Sequence, residues 1–233
     1  YKANVIGAIN LMTAIRDTGC ETDVLIISSG EVYGLVPSEN QPISETRAPA
    51  PRSPYAASKL CQEIACSQIA ASMKGKTVFA RPFNHIGPGQ RLGFVTADFA
   101  WQVAQIEQGL QEPVIRVGNL DAQRDFTDVR DTVRGYIEAL RTGKSLDVIN
   151  VCSGRAWRIR EFLDYFLSKS TADISVEIDP DRFRPADVPM LKGSGEYLRT
   201  LSGWKPQREI EKTLCEILEF WRDQATHSDV KSE

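Results

Sequence analysis

The chain has 233 residues, of which 28 are basic and 31 acidic, for a formal charge of −3, and 42 % of its residues are hydrophobic. These ordinary globular values exclude a wholly disordered, collagen-like or fibrous chain, and the slight acidity argues against nucleic-acid binding. The length suits one large domain or one and a half, and no apolar run approaches the roughly 20 residues that span a bilayer.

Tyr1, not Met, opens the chain, and Val5, Ile6, Ile9, Met12 and Ile15 already give helical spacing over residues 3–18, stopped by Gly19. No signal peptide is expected, and the chain is expected to be the C-terminal part of a longer protein. Residues 23–29 read as a buried strand. Residues 34–54, rich in Pro, Ser and Glu, read as an ordered loop. Ser53 and Pro54 then supply a cap and a first-turn proline for a helix to about residue 73.

Residues 76–83 predict a second strand, Gly87-Pro88-Gly89 a turn, and 95–109 a helix. A strand follows at 113–118, a helix from Asp128, and a strand at 147–152. The pattern continues with a helix over 158–169, a strand over 174–178, and helices near 194–202 and 208–223. The polar tail from Gln224 is expected to fray. Alternating helices and buried strands predict an α/β fold with a parallel sheet. The five cysteines (Cys20, Cys61, Cys66, Cys152 and Cys215) are odd in number and contain no C-x-x-C pair. They read as buried free thiols in a reducing, cytoplasmic setting. The two histidines, His85 and His227, leave little for a zinc site or a Ser-His-Asp mechanism, so no metal is expected.

The informative block is Ser28-Ser29-Gly30-Glu31-Val32-Tyr33-Gly34, followed by Ser53-Pro54-Tyr55-Ala56-Ala57-Ser58-Lys59. A serine at the end of a buried strand stands at the sheet's carboxyl edge, where open α/β folds bind ligands. Tyr55 and Lys59 are four apart, hence on one helix face. A tyrosine keeps its proton to a pH of about 10, and a nearby ammonium lowers that value. With a serine to hold a substrate oxygen, the set suits carbonyl reduction or alcohol oxidation. Tyr165 and Lys169 repeat the spacing without a strand-end serine, among Phe162, Leu163, Phe166 and Leu167, and read as a helix face.

These motifs resemble the extended short-chain dehydrogenases/reductases that act on nucleotide sugars, and within them the GDP-6-deoxy-D-mannose reductases. The likeness runs from Asn4 to about Trp221. It implies part of a Rossmann-type dinucleotide-binding domain over 1–83 and a smaller α/β substrate domain over 84–233, with about 128–154 returning to the first. It implies catalytic Ser29, Tyr55 and Lys59, with Asn4 supporting the lysine through water. NADP, or else NAD, would lie against Ser28, Tyr55, Lys59, Pro82, Phe83 and His85. His85, beside Asn84, reads more simply as holding its loop than as an acid or base.

Asn84, Gly93, Phe94 and Val95 would touch a GDP-linked 4-keto-6-deoxy sugar, and Arg124 and Arg184 would grip its diphosphate through their planar forks. A surface salt bridge with Asp125 or Asp187 is the plainer reading of those arginines. Glu31 matches the base of the related GDP-mannose 4,6-dehydratases, which leaves dehydratase chemistry open. Ser29, in place of their usual threonine, and Ile86-Gly87-Pro88-Gly89-Gln90-Arg91 favour the reductase. The likeness also implies a homodimer built from helices 3–18 and 54–73.

A glycine-rich phosphate turn is expected of such a fold. Gly87-x-Gly89 meets Gly93 one residue late and contains Pro88, and Gly193-x-Gly195 lacks a third glycine. The first βαβ units, with that motif, are therefore expected upstream, and the 233 residues alone are expected to bind NADPH poorly and to be inactive. A nucleotide-sugar epimerase and a non-catalytic sugar-nucleotide binder are the other readings.

Overall fold

The computed structural model describes residues 1–182 and 188–228. The opening turn, Lys2–Ile6, is wound as a π-helix and runs into α1 (Gly7–Asp17). In chain order follow β1 (Val24–Ile27), α2 (Pro54–Ala70), β2 (Thr77–Pro82), β3 (Asn84–Ile86), α3 (Val95–Glu107), β4 (Val114–Val117) and β5 (Gln123–Asp128). Then come α4 (Val129–Thr142), β6 (Val148–Val151), β7 (Ala156–Arg158), α5 (Ile159–Lys169), β8 (Ser175–Ile178), β9 (Met190–Leu191), α6 (Glu196–Ser202) and α7 (Ile210–Ser228).

A parallel sheet of order β1-β2-β6 carries the first half of the molecule. Side chains alternate across it, as the pleat demands. Ile26 and Phe79 pack with Met12, Cys66 and Ala70 beneath α1 and α2. Val78, Ala80, Ile149 and Val151 pack on the opposite face with Ala139 of α4 and Leu198 of α6. Two helical layers therefore enclose a buried parallel sheet, the arrangement that lets its strands be apolar on both faces.

The chain leaves this sheet at Phe83 and enters a second, in which β5 pairs with β3, β7 and β9. A two-stranded β4-β8 sheet lies beyond it. The larger core sits here, where Phe99, Phe126, Phe162, Phe166, Leu214 and Ile217 fill the space between strands and α3, α5 and α7. After α4 the chain returns to the first sheet as β6 and leaves again as β7.

The expected parallel sheet is present as β1-β2-β6, and in the second sheet β7 runs antiparallel to β5 after residues 152–155 turn the chain. Asp125 holds that reversal, accepting from Ser153 N, Ser153 Oγ and Gly154 N, and also from Gly193 N. Two expectations are corrected. The tail does not fray at Gln224, since α7 continues to Ser228 with Ala225 buried. Nor are the thiols mostly buried: Cys66 and Cys152 are, whereas Cys20, Cys61 and Cys215 are exposed on helix or loop surfaces. Among the described residues no helix is long and apolar enough to cross a membrane.

Candidate active site

β1 ends where its last backbone bond to β2 is made, Ser28 N donating to Ala80 O at 2.7 Å. Ser29 is extended and caps the short turn Gly30–Tyr33, its Oγ accepting from Glu31 N at 3.2 Å. That turn is packed from below by Phe83, whose ring lies 3.0 Å from where a side chain on Gly30 would begin. Gly34 closes the turn at φ +66°, and a Cβ there would stand 1.9 Å from Ala50 O, so only glycine fits.

α2 starts immediately above. Ser53 Oγ accepts from Ala56 N at 3.0 Å, and Pro54 occupies the first turn. Tyr55 therefore projects from the helix start at the sheet's carboxyl edge, 48 % exposed. Asn4 Nδ2 donates to Ser58 Oγ at 3.0 Å, and Ser58 Oγ donates to Tyr55 O at 2.7 Å, which ties the π-helical turn to the start of α2.

Lys59 lies one turn on. Its Nζ donates to Ile27 O at 2.8 Å and to Gln62 Oε1 at 3.3 Å. Burial pulls the Lys59 ammonium below its ordinary value. Tyr55 goes the other way. Burial raises the phenol above 10, the Ser29 hydroxyl pulls it back down, and the Glu31 carboxylate raises it. The expected lowering of Tyr55 by Lys59 is thus not what this geometry gives. The i,i+4 spacing puts both on one face, but the ammonium is turned to the strand carbonyl.

The neighbouring residues fall around this edge. Pro82 ends β2, and Phe83 is buried, its N donating to Val151 O at 3.0 Å. Asn84 and His85 are half-buried on β3, and His85 Nδ1 donates to Phe83 O at 3.2 Å. Gln90 Nε2 donates to His85 O at 3.2 Å, so the histidine belongs to the bonding of its loop. Gly93 N donates to Asp98 Oδ1 at 2.7 Å, just before α3 starts at Val95. The exposed ring of Phe94 lies 5.5 Å under the Arg91 guanidinium. Arg124 is half-buried on β5 and donates to Gln123 O at 2.8 Å. Arg184 lies outside the described residues. The look-alike pair belongs to α5: Lys169 Nζ sits 5.6 Å over the Tyr165 ring, which packs against the core.

A hydroxyl, a phenol and an ammonium thus line the end of one parallel strand. Such a set can hold a carbonyl oxygen and hand it a proton. The edge also fits a nicotinamide dinucleotide. Ser28 Oγ is buried there with no hydrogen-bond partner among the described residues, and Lys59 Nζ has a third N–H beyond the two bonds it makes to Ile27 and Gln62.

Sequence reasoning misses Glu63 and Arg81. They form a buried fork, Arg81 Nε to Glu63 Oε1 at 2.9 Å and Nη2 to Oε2 at 2.6 Å. A signal exists: Arg81 is the lone charge in the run Thr77-Val78-Phe79-Ala80-Arg81-Pro82-Phe83, and Glu63 follows Lys59 by four.

The family model for GDP-mannose 4,6 dehydratase matches residues 1–217. The GDP-6-deoxy-D-mannose reductase of Pseudomonas aeruginosa is 41 % identical over 94 % of this chain and 72 % of its own length. GDP-mannose 4,6 dehydratase 2 of Arabidopsis thaliana is 34 % identical over 92 % of this chain and 58 % of its own. A solved structure of RMD from Pseudomonas aeruginosa complexed with NADPH superposes with a TM-score of 0.91 at 39 % identity, covering 96 % of this chain and 74 % of that one. The chain belongs to the GDP-mannose 4,6-dehydratase family.

Proposed function

We propose that the protein is a nicotinamide-dependent nucleotide-sugar oxidoreductase that reduces the 4-keto group of GDP-4-keto-6-deoxy-D-mannose to give GDP-D-rhamnose. The observation that carries this reading is the phenol of Tyr55 standing beside the Ser29 hydroxyl at the strand edge. The likeness to the reductase of Pseudomonas aeruginosa supports the choice of substrate.

The division of labour follows from the chemistry of each group. The nicotinamide, when bound, supplies the hydride for C4. Tyr55, held protonated by its burial, gives its proton to the oxygen at C4 as negative charge develops there. Ser29 donates to the same oxygen and stabilises that charge. Lys59, fixed to Ile27, would hold the ribose next to the nicotinamide with its remaining N–H. The half-exposed phenolate then recovers a proton from water.

NADP is the cofactor in this reading, with NAD as its competitor. Ser28, Pro82, Phe83 and His85 would line its nicotinamide end. Asn84, Gly93, Phe94 and Val95 would meet the sugar nucleotide, with Arg124 and Arg184 on its diphosphate. Residues 1–83 with 128–154 would form the dinucleotide half and the remainder the substrate half. Ile6, Leu11 and Ile64 leave apolar groups exposed on the first helices, which suits a homodimer paired through α1 and α2. The five free thiols suit the cytoplasm.

Dehydratase chemistry is the second reading, favoured by the Glu31 carboxylate, whose charge acts on the Tyr55 phenol. The two readings part on product. Nuclear magnetic resonance of the sugar made by the native gene product from GDP-4-keto-6-deoxy-D-mannose and NADPH should show a new hydrogen at C4. Recovery of unchanged keto sugar would contradict the reductase.

A further inference from the structure

We propose that Arg81 is a positioning residue that sets the place of the Tyr55 phenol relative to the Ser29 hydroxyl. It does so by gripping α2 through Glu63 on one side and the Ser29–Tyr33 turn through the Tyr33 ring on the other. This rests on the assignment of Tyr55 and Ser29 to the proton-transfer step.

The two groups come from separate elements, so something must fix their spacing. Tyr55 is half exposed, and the bonds at the start of its helix hold its backbone rather than its phenol. Tyr55, Lys59 and Glu63 are spaced i, i+4, i+8 and share one face of α2. That face is bonded to the sheet at two points one turn apart. Lys59 Nζ reaches Ile27 O on β1, and Glu63 takes the fork of Arg81 on β2. Packing against Met12 and the bond from Asn4 seat the helix, and the two strand anchors set its remaining rotation and slide. With Glu63 released the helix pivots about Lys59, and Tyr55 lies about 6 Å beyond Lys59 along the axis at 1.5 Å per residue. A tilt of about 10° would therefore carry it about 1 Å, a displacement that costs a catalytic group on the order of 100-fold in rate.

The other hand of Arg81 holds the serine. Its guanidinium lies 4.8 Å over the Tyr33 ring. Tyr33 is fully buried, stacks on Phe83 at 6.4 Å, and donates its hydroxyl to Asn150 Oδ1 at 2.8 Å. Asn150 is itself fixed, its Nδ2 donating to Ile43 O at 2.9 Å and its N to Glu45 Oε1 at 2.9 Å. Tyr33 closes the turn that Ser29 opens, so what holds Tyr33 holds Ser29. Arg81 touches both carriers, and Leu60 of α2 also packs against the cluster that holds Val32 and Tyr33. With side chains only 6 % and 8 % exposed, Arg81 and Glu63 form a pair that an apolar pair of similar size could replace without loss of fold. The ion pair therefore contributes geometry that packing alone does not require.

The test is the double variant Glu63→Leu/Arg81→Met in the native gene product, with Arg81→Lys as the variant that keeps the buried charge but not the fork. Melting temperature, NADPH affinity by fluorescence, and separate kcat and KM for the sugar nucleotide are read for each. The expected result is a folded protein with unchanged KM and NADPH affinity and a kcat lower by about 10- to 100-fold. Arg81→Lys should fail to restore kcat, because a point charge lacks the fork. A folded variant with kcat within about twofold of the parent would overturn the proposal. So would a loss confined to KM. If the double variant does not fold, Arg81→Lys decides on the same readings. Tyr55→Phe is run alongside. Undiminished turnover there removes the catalytic reading and the positioning role together, whereas loss there with full turnover in the Arg81 variants removes only the latter.

Discussion

The ammonium of Lys59 donates to the carbonyl oxygen of Ile27 at 2.8 Å, and not to the phenol of Tyr55. The bond anchors the helix that carries Tyr55 to the last residue of β1, one residue before Ser28. It leaves burial to set the phenol's affinity for its proton, which is raised. A raised value suits a group that must arrive protonated and give its proton up only as charge develops on the substrate.

Tyr55→Phe removes only the hydroxyl from a half-exposed ring. Turnover by the native gene product should fall by roughly 100- to 10,000-fold, the usual worth of a positioned acid. The thermal midpoint should stay within a degree or so of the parent. Near-normal turnover in a steady-state assay would contradict the assignment.

Ser29→Ala should act on pH dependence as well as rate. Reduction needs protonated Tyr55, so the rate falls as pH rises through its pKa. Ser29 lowers that pKa, and its removal should move the alkaline limb of kcat to higher pH. The loss of one donor to the developing charge should cost roughly 100-fold in kcat. A limb that stays put or moves down would argue against contact between the two hydroxyls.

Asp125 makes a stability prediction. Burial pushes its carboxyl up to about 6, while the hydrogen bonds from Ser153, Gly154 and Gly193 pull the other way. The folded chain therefore holds this proton more tightly than the unfolded chain. The resulting stabilisation is complete below about pH 4 and is lost as pH rises through 6, a change of about 3 kcal/mol at 1.36 kcal/mol per pKa unit. Urea unfolding at several pH values should show that fall in the parent and its absence in Asp125→Asn. Equal slopes in the two proteins would refute it.

Arg124→Ala should raise KM for the sugar nucleotide by about 10- to 100-fold, the worth of one or two charge-assisted bonds to phosphate. NADPH affinity should be unchanged. A shift in cofactor affinity with KM unaltered would reassign the residue.

Much of the site is legible in sequence because its signals are local. A serine at the end of an apolar strand, a Ser-Pro helix start and a tyrosine and lysine four apart need only one or two elements to be read. The parallel sheet follows from apolar runs alternating with helical spacing. What escapes is set by distant contacts. Glu63 and Arg81 are 18 residues apart and pair only once α2 lies over β2. β3 is three residues long and too short to show a period, and β5 meets β7 only because Asp125 draws in the reversal after β6. The direction of Lys59 is likewise invisible to spacing, since its long side chain can reach either the phenol or the strand.

Net reduction at C4 by a nicotinamide is what separates a reductase from a dehydratase at this site. The most direct measurement supplies the native gene product with GDP-4-keto-6-deoxy-D-mannose and NADPH and counts both the reduced nicotinamide lost and the sugar converted. One NADPH consumed for each sugar reduced is the predicted result. Conversion of GDP-mannose to the keto sugar with no net loss of reduced nicotinamide would contradict it, and would turn attention to Glu31.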